Sequence, residues 1–391
     1  AILAQAAKPQ VIHSLQRAFP PAMWHWTSWQ ADGSPHPPVR SPAAVIIPHD
    51  DDAPEVVLCG GSMGRRQLHA KAHRATLQQR DQRLTWQPLM HGAPALGRHD
   101  HAMAALGSRV LIFGGSSAGI FHGDVLELEL GGKTGVRFVK CAGEAPGPRS
   151  NVTLVPFRGA LWLFGGCRLD RNPIELYNDT FVLEAETWRR VRAVDPPSPR
   201  SGHSCIVWRD SLVVFGGWCG DALLQDVVQG DGSAWTPLSP SGAAPLPRAC
   251  HSATLVAGDR MVVYGGLADY NVELGGCVQE DALHVLDLRA LAWSRVPVGG
   301  RPPPSRAFHC MLALPGSSSM LLLGGGTRND DEGRNFNDCH ELSWICWSTD
   351  RHHLFPPSAR TRLYELLLLG QRHRRLPSAV WLVIASYWVV A

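Results

Sequence analysis

Four arginine–histidine pairs at one spacing are the first residues in this chain that could do chemistry. Arg98, Arg200, Arg248 and Arg306 are each followed, three residues on, by His101, His203, His251 and His309. Imidazoles at equivalent places could converge on a metal ion, and guanidiniums so placed could ring an anion. Residues on adjacent units of a repeat stand apart, however, so no metal site is expected. The scaffold reading asks less of them: each arginine ties its unit to a neighbour through hydrogen bonds to carbonyls. Arg40 and Arg149 keep the arginine but have Ala43 and Val152 in the histidine's place.

The elements that would position these side chains are short apolar runs ending in a glycine pair. They read VVLCGG at Val56–Gly61, VLIFGG at Val110–Gly115, LWLFGG at Leu161–Gly166, LVVFGG at Leu212–Gly217, MVVYGG at Met261–Gly266 and LLLGGG at Leu321–Gly326. With Gly61, Gly115, Gly166, Gly217, Gly266 and Gly325 as markers, the steps are 54, 51, 51, 49 and 59 residues. Four apolar residues, many β-branched or aromatic, suit a strand buried on both faces and are too few for a helix. The glycines admit positive φ and the close approach of another backbone. Phe113, Phe164, Phe215 and Tyr264 hold one position beside the glycines, and burial between neighbouring repeats is expected of them.

A third feature completes each unit: Trp86, Trp188, Trp235, Trp293 and Trp347, with Phe138 in the second repeat. The order is an Arg-x-x-His strand, an apolar strand with Gly-Gly, a strand such as Asn178–Glu186, then Trp. This order, with its period of about 50 residues, resembles the kelch repeat. The resemblance implies an all-β fold, a six-bladed kelch-type β-propeller, over residues 23–350, with repeats near 40–88, 98–140, 149–191, 200–238, 248–296 and 306–350. Residues 1–22 form an N-terminal extension and 356–391 a short α-helical tail. Met23–Gln30, rich in tryptophan, reads as an outer strand that closes the ring against the last blade. Asn337–Trp347 competes for the same place, because it matches Asn178–Trp188 in length. Arg65–Gln82 reads as an exposed, basic, helix-favouring insertion between the second and fourth strands of the first repeat.

Composition removes several classes. Lys+Arg 37 against Asp+Glu 34 leaves +3, no field for nucleic acid or a membrane surface. Gly 39 and Pro 30 fit many short strands and turns. The 10 cysteines are scattered without a zinc-ligand spacing, which points to free thiols and a reducing compartment, cytoplasmic or nuclear. No nucleophile elbow, zinc-protease, phosphate-loop or dinucleotide motif occurs. Some kelch-like propellers are copper oxidases with Tyr and His ligands, but Tyr numbers only 5 here. The reading is therefore no catalytic residue, no cofactor and no enzyme.

In an antiparallel meander, the segment after each glycine pair emerges on the same face as the connections between blades. That geometry gathers Arg168, Arg171, Trp218, Tyr270, Arg328 and Asn329 on one rim, and arginine and aromatic residues are the types enriched at binding hot spots. The expected function is a non-enzymatic scaffold that binds a protein or peptide partner there. The alternative is a substrate adaptor of a ubiquitin ligase. Residues 360–370 and 376–391 read as two helices joined by the basic Arg372–Arg375 turn. The Leu376-Pro377 start, with Trp381, Ile384 and Trp388, resembles an F-box or SOCS-box helix that recruits ligase subunits. The apolar stretch Leu376–Ala391 falls short of the ~20 residues that span a bilayer, so membrane association is not the leading reading.

Overall fold

Five of the glycine pairs directly follow the second strand of their unit, and the Gly216-Gly217 pair falls inside the second strand Ser211–Trp218, at a β-bulge. A computed structural model describes residues 23–49, 53–64, 67–90, 92–131, 134–271, 276–279, 282–327 and 334–345, without the side chains of 269–271 and 276–279. They fall into two compact units. The larger holds 28–296 and 304–341; the smaller, among the described residues, holds 23–27, 297–303 and 342–345.

The first blade of the larger unit pairs Ala43–Ile47 with Glu55–Cys59, then Ala72–Gln78 and Arg83–Pro88. The second runs Ala102–Leu106, Arg109–Phe113, Val125–Glu129 and Gly135–Val139. The third is Thr153–Phe157, Ala160–Phe164, Thr180–Glu184 and Thr187–Val191. The fourth is Ser204–Trp208, Ser211–Trp218, Leu223–Gly230 and Trp235–Leu238. The fifth is Ser252–Val256, Arg260–Tyr264, Leu283–Asp287 and Ala292–Val296. Cys310–Ala313 and Ser319–Leu323 open another, with Cys339–Ile345 next to them in strand order. The innermost strands meet in closed sequence: Ala43–Ile47 touches Ala102–Leu106, and so on to Cys310–Ala313, which touches Ala43–Ile47 again. This is a β-propeller.

Strand Met23–Gly33 resolves the competition for the outer place. It lies beside Cys339–Ile345, which is a third strand like Thr180–Glu184. Ser28 reaches His340 at 3.3 Å, and Trp29 Nε1 donates to Glu341 Oε2 at 2.9 Å. The same strand continues, and Gln30–Gly33 pairs in parallel with Arg83–Trp86 of the first blade. Trp347 lies outside the described residues. In the smaller unit, Trp24, His25 and Trp26 pair in parallel with Val298, Gly299 and Gly300, and the Trp24 and Trp344 rings meet edge to face at 4.9 Å.

The core consists of seams between blades. Phe113, Phe164, Phe215 and Tyr264 are all at most 2% exposed. Phe113 meets Trp188, Phe164 meets Trp235 and Phe215 meets Trp293, each in the following blade, at 5.6, 5.2 and 5.2 Å. Aromatic pairs at these offsets add to the burial of their area.

Two expectations are corrected. Arg65–Gln82 is not wholly an exposed insertion, because Ala72–Gln78 is the third strand of the first blade. Its buried residues are small or polar, Ala72, His73 and Ala75 with Leu77, so the apolar alternation is faint, and pairing with Glu55–Cys59 overrides helix propensity. Phe138 does not hold the tryptophan position. Register puts Val136 opposite Leu128, as Trp188 stands opposite Leu183, and Phe138 is 66% exposed.

Candidate functional site

Two residues after the periodic arginine, the backbone turns left-handed. Asp100, Asn151, Gly202, Cys250 and Phe308 have φ of 57, 52, 61, 56 and 57°, and Ser41, one residue after Arg40, has 55°. Around the axis each amide donates to the equivalent carbonyl of the preceding blade: Asn151 to Asp100 at 2.9 Å, Gly202 to Asn151 at 3.1 Å, Cys250 to Gly202 at 2.7 Å, Phe308 to Cys250 at 2.9 Å and Ser41 to Phe308 at 3.0 Å. The Ser41 side chain hydrogen-bonds Asp100 and brings the first and second blades together. Only glycine takes αL without a steric penalty, so a Phe and a Cys held there mark a hub that over-determines its backbone.

The arginines brace this hub. Arg98, Arg149, Arg200, Arg248 and Arg306 are at most 2% exposed. Each Nη1 donates to the first glycine carbonyl of its own blade: Gly114, Gly165, Gly216, Gly265 and Gly324, at 2.9 to 3.2 Å. Arg98, Arg149, Arg200 and Arg306 also fork onto both oxygens of Asp124, Asp179, Asp226 and Asp338. Burial opposes ionisation of Asp124 and Asp338, but the arginine partners outweigh it and hold both carboxyls below their ordinary range. The tie to the neighbouring blade is made by the arginine's main chain instead. Gly61, Gly115, Gly166 and Gly266 donate from their amides to the carbonyls of Arg98, Arg149, Arg200 and Arg306, at 2.8 to 3.0 Å. The guanidinium's place within its own blade corrects the sequence reading. An acidic residue just before the third strand, as in Asp124-Val125 and Asp179-Thr180, was the signal available for it.

The histidines link blades too. His203 meets Thr153 at 3.1 Å, His251 meets Ser204 at 2.9 Å and His309 meets Ser252 at 2.8 Å, all through Nε2, and His101 Nε2 lies 3.5 Å from Cys59 Sγ. Burial and the nearby arginine charge push the pKa of His101, His203 and His309 down to about 3 and that of His251 well below its ordinary value. Together with the hub residues they line a small cavity of about 140 Å³. Among the described residues, no group of three or more His, Cys, Asp or Glu is arranged to hold a metal ion.

Above the hub opens a pocket of about 800 Å³. That volume lies within the range of ligand clefts, about 300–1,000 Å³. Hub residues Ser41, Asp100, Asn151, Cys250 and Phe308 line it. One side is charged: Arg40 lies over the Phe308 ring at 5.5 Å, and His99 Nδ1 lies 2.7 Å from Asp100 Oδ2. The hydrogen bond to Asp100 raises the His99 pKa, and His99, Ser41 and Arg40 together overcome burial to lower that of Asp100. The other side is mainly apolar, built from Leu169, Ile174, Trp218, Leu223 and Leu267, with the carboxylate of Asp221 among them. Leu169 and Ile174 are 51% and 47% exposed, and stand at the two ends of the loop that joins Cys167–Arg168 to its partner Glu175–Leu176.

Of the rim residues read from the sequence, Trp218 lines the pocket. Arg168 sits on the third-blade hairpin, with its guanidinium held by Asp170 at 3.0 and 2.7 Å, and Arg171 is exposed on the same hairpin; neither lines the pocket. Tyr270 belongs to strand Leu267–Asn271, with its side chain outside the description. Arg328, Asn329 and the tail residues Leu376, Pro377, Trp381, Ile384 and Trp388 lie outside the described residues. Sequence reasoning noted Arg40 only as a periodic arginine and missed His99, Asp100, Asn151 and Phe308, although the last three each stand two residues after a periodic arginine.

Comparison with known proteins places the geometry. The "KLHDC2/KLHL20/DRC7 Kelch-repeats domain" model matches residues 18–189 and 133–325. Adagio-like protein 1 of Oryza sativa subsp. japonica is 32% identical over 268 residues, 62% of this chain and 41% of that protein. Kelch domain-containing protein 1 of Mus musculus is 27% identical over 261 residues, 59% of this chain and 61% of that protein. The chain thus spans less than two thirds of either relative. A solved structure titled "Structure of YjhT" superposes with a TM-score of 0.60 at 16% identity, covering 78% of this chain and 95% of that one, which speaks to the fold alone. With the family match running across most of the propeller, the chain belongs to the kelch-repeat family.

Proposed function

We propose that the protein is a non-enzymatic interaction propeller that takes an extended segment of a protein partner into the pocket above the hub. The observation that carries this reading is the division of that pocket. A mainly apolar wall from Leu169 to Leu267, with Asp221 on it, faces the Arg40, His99 and Asp100 side across about 800 Å³. Such a cleft takes an apolar side chain on one side and a polar or charged neighbour on the other. Trp218 and Phe308 are the anchors. The eight cysteines whose side chains are described form no disulfide with one another, which supports a reducing compartment, cytoplasmic or nuclear.

The test is selection of peptides on the folded protein, followed by affinity measurements with variants. Trp218→Ala and Phe308→Ala should each weaken selected peptides by at least about tenfold, roughly 1.4 kcal/mol, while the melting curve shows a folded protein. Equal binding by both folded variants would move the site elsewhere. The ligase-adaptor reading rests on the Leu376-Pro377 start and the Trp381, Ile384, Trp388 spacing. Ligase subunits should then co-purify with the full chain and be lost on removal of 358–391; retention after removal sinks it.

A further inference from the structure

Outer strands in this fold carry a short parallel cap. In the larger unit Asp32–Gly33 lies along Thr85–Trp86, Ala142–Gly143 along Thr187–Trp188 and Ser241–Gly242 along Ala292–Trp293, and Val194 bridges Ala234 in parallel. In the smaller unit Val298–Gly300 lies along Trp24–Trp26. Each cap ends in a left-handed residue: Gly33, Gly143, Gly242 and Gly300 at φ 78, 81, 88 and 75°, and Asp195 after Val194 at 49°. The glycines are required by closeness, because a Cβ on any of the four would lie 2.1 to 2.3 Å from the carbonyl oxygen of Trp86, Trp188, Trp293 or Trp26. In three caps the next amide donates to that carbonyl: Ser34 at 3.0 Å, Glu144 at 3.0 Å and Ala243 at 3.1 Å.

Strand Gly135–Val139 has no such cap among the described residues. The chain leaving the first blade takes another route. Leu89 and Ala93 donate to Ala72 and Ala70, both at 2.9 Å, and Pro94–Leu96 winds into a 3-10 turn. Val136 holds the tryptophan's register place, so its amide and carbonyl face outward as those of Trp188 do. Two residues on, and so on the same face, Phe138 is 66% exposed. An edge with no partner strand among the described residues, beside an exposed aromatic, is a template for strand addition.

We propose that the outer edge of Gly135–Val139 accepts a short parallel strand from a protein partner, carrying a small residue followed by glycine over Val136, with Phe138 beside it to take an apolar side chain. The occupant's chemistry is set by the four glycine caps, where a side chain at that position would collide with the partner strand's carbonyl; the cap that has Asp195 there is reduced to the single bridge of Val194 to Ala234. This edge lies in the second blade's outer strand, and its occupancy does not depend on the pocket above the hub.

The probe is a peptide copying residues 237–245, Pro-Leu-Ser-Pro-Ser-Gly-Ala-Ala-Pro, with a partner peptide in which its glycine is valine. The readout is hydrogen exchange in segment 134–139. With the glycine peptide at ten times its Kd, exchange there should slow by about tenfold, and the valine peptide should leave it unchanged. Val136→Pro, tolerated at an edge whose amide faces outward, should abolish the slowing, and Phe138→Asp, a change at an exposed site, should weaken it. Equal slowing by the valine peptide, or none by the glycine peptide, overturns the proposal. So does slow exchange of this segment in the free protein, which would mean that the edge is already covered. A concentration-dependent dimer protecting the same segment would assign the edge to a second copy instead.

Discussion

The amide of Cys250 donates to the carbonyl of Gly202 at 2.7 Å, and both residues are left-handed, at φ 56 and 61°. Two blades therefore impose one backbone conformation on a glycine and on a cysteine. The non-glycine residue bears a steric cost of about 1–2 kcal/mol in that region. Cys250→Gly should leave thermal stability unchanged or raise it by up to about 1 kcal/mol, since glycine's extra freedom in the unfolded chain offsets part of the gain. Gly202→Val should lower stability by at least about 2 kcal/mol, because a β-branched residue adds crowding: a Cβ there lies 3.0 Å from Cys250 Sγ. Denaturant unfolding of the two variants checks the pair, and a Gly202→Val protein as stable as the parent would contradict the account.

Phe164 and Phe215 each join two blades through Trp235 and Trp293. Truncation to Ala should cost about 3–5 kcal/mol in either case, since a buried ring leaves a cavity that paired sheets cannot close. Unmoved melting temperatures would show that these seams do not hold the ring.

Arg306 is fully buried, while its partner Asp338 has a side chain 35% exposed. Asp338→Ala leaves the guanidinium with the Pro304 and Gly324 carbonyls and the Phe336 ring. The cost should be about 1–3 kcal/mol, below that of breaking a fully buried pair, because water reaches the carboxylate. Arg306→Ala should cost more, since it also removes bonds to the Pro304 and Gly324 carbonyls. Chemical denaturation of both variants orders them.

Acid should loosen the propeller in two stages. His101, His203 and His309 titrate at about 3 in the folded protein, because burial disfavours the imidazolium. In the unfolded chain they titrate near ~6.5, so the unfolded state binds more protons below that pH. Their contribution is complete above pH ~6.5 and is lost as pH falls toward ~3, at a limit of about 1.4 kcal/mol per histidine per pH unit. Asp124 and Asp338, with folded values depressed, add a second loss below the ordinary carboxylate range. Melting temperature should fall steeply between pH 7 and 5 and less steeply in His203→Gln. A flat profile over that window would mean that these histidines are protonated in place.

Burial raises the thiol pKa of Cys59, Cys205 and Cys310 to about 12. Native protein treated with iodoacetamide at mildly alkaline pH should leave these three unmodified until it unfolds, as read residue by residue by mass spectrometry. Their rapid labelling would indicate that the blade seams open in the native state.

The propeller was legible because Gly-Gly recurs where a second strand meets the next blade's backbone, at an arginine carbonyl for Gly61, Gly115, Gly166 and Gly266 and at that of Val39 for Gly325, and that constraint leaves a residue type in the sequence. Phe113, Phe164, Phe215 and Tyr264 were legible for the same reason, each filling one repeated seam. The site was less so. Asp100, Asn151, Cys250 and Phe308 share a backbone state and a place on the axis, but not a side-chain type, so no motif announces them. Trp218 stood out by its type, and Arg168 did as well, yet only the fold shows that Asp170 occupies the latter's guanidinium. The third strand Ala72–Gln78 escaped notice because alanine and histidine fill its buried places.

Ser28–Gly33 meets His340 and Glu341 on one side and Arg83–Trp86 on the other. A linear repeat array has two end units, each with one neighbour, from which it frays and at which units can be added or removed. Here the strand that would be the loose start of the array is shared by its first and last members, so the boundary is periodic and no repeat is terminal. Loss of any one blade then leaves two unmatched seams rather than a shorter array. Stability cannot be apportioned repeat by repeat, and the number of blades is not free to drift by one without refitting every seam.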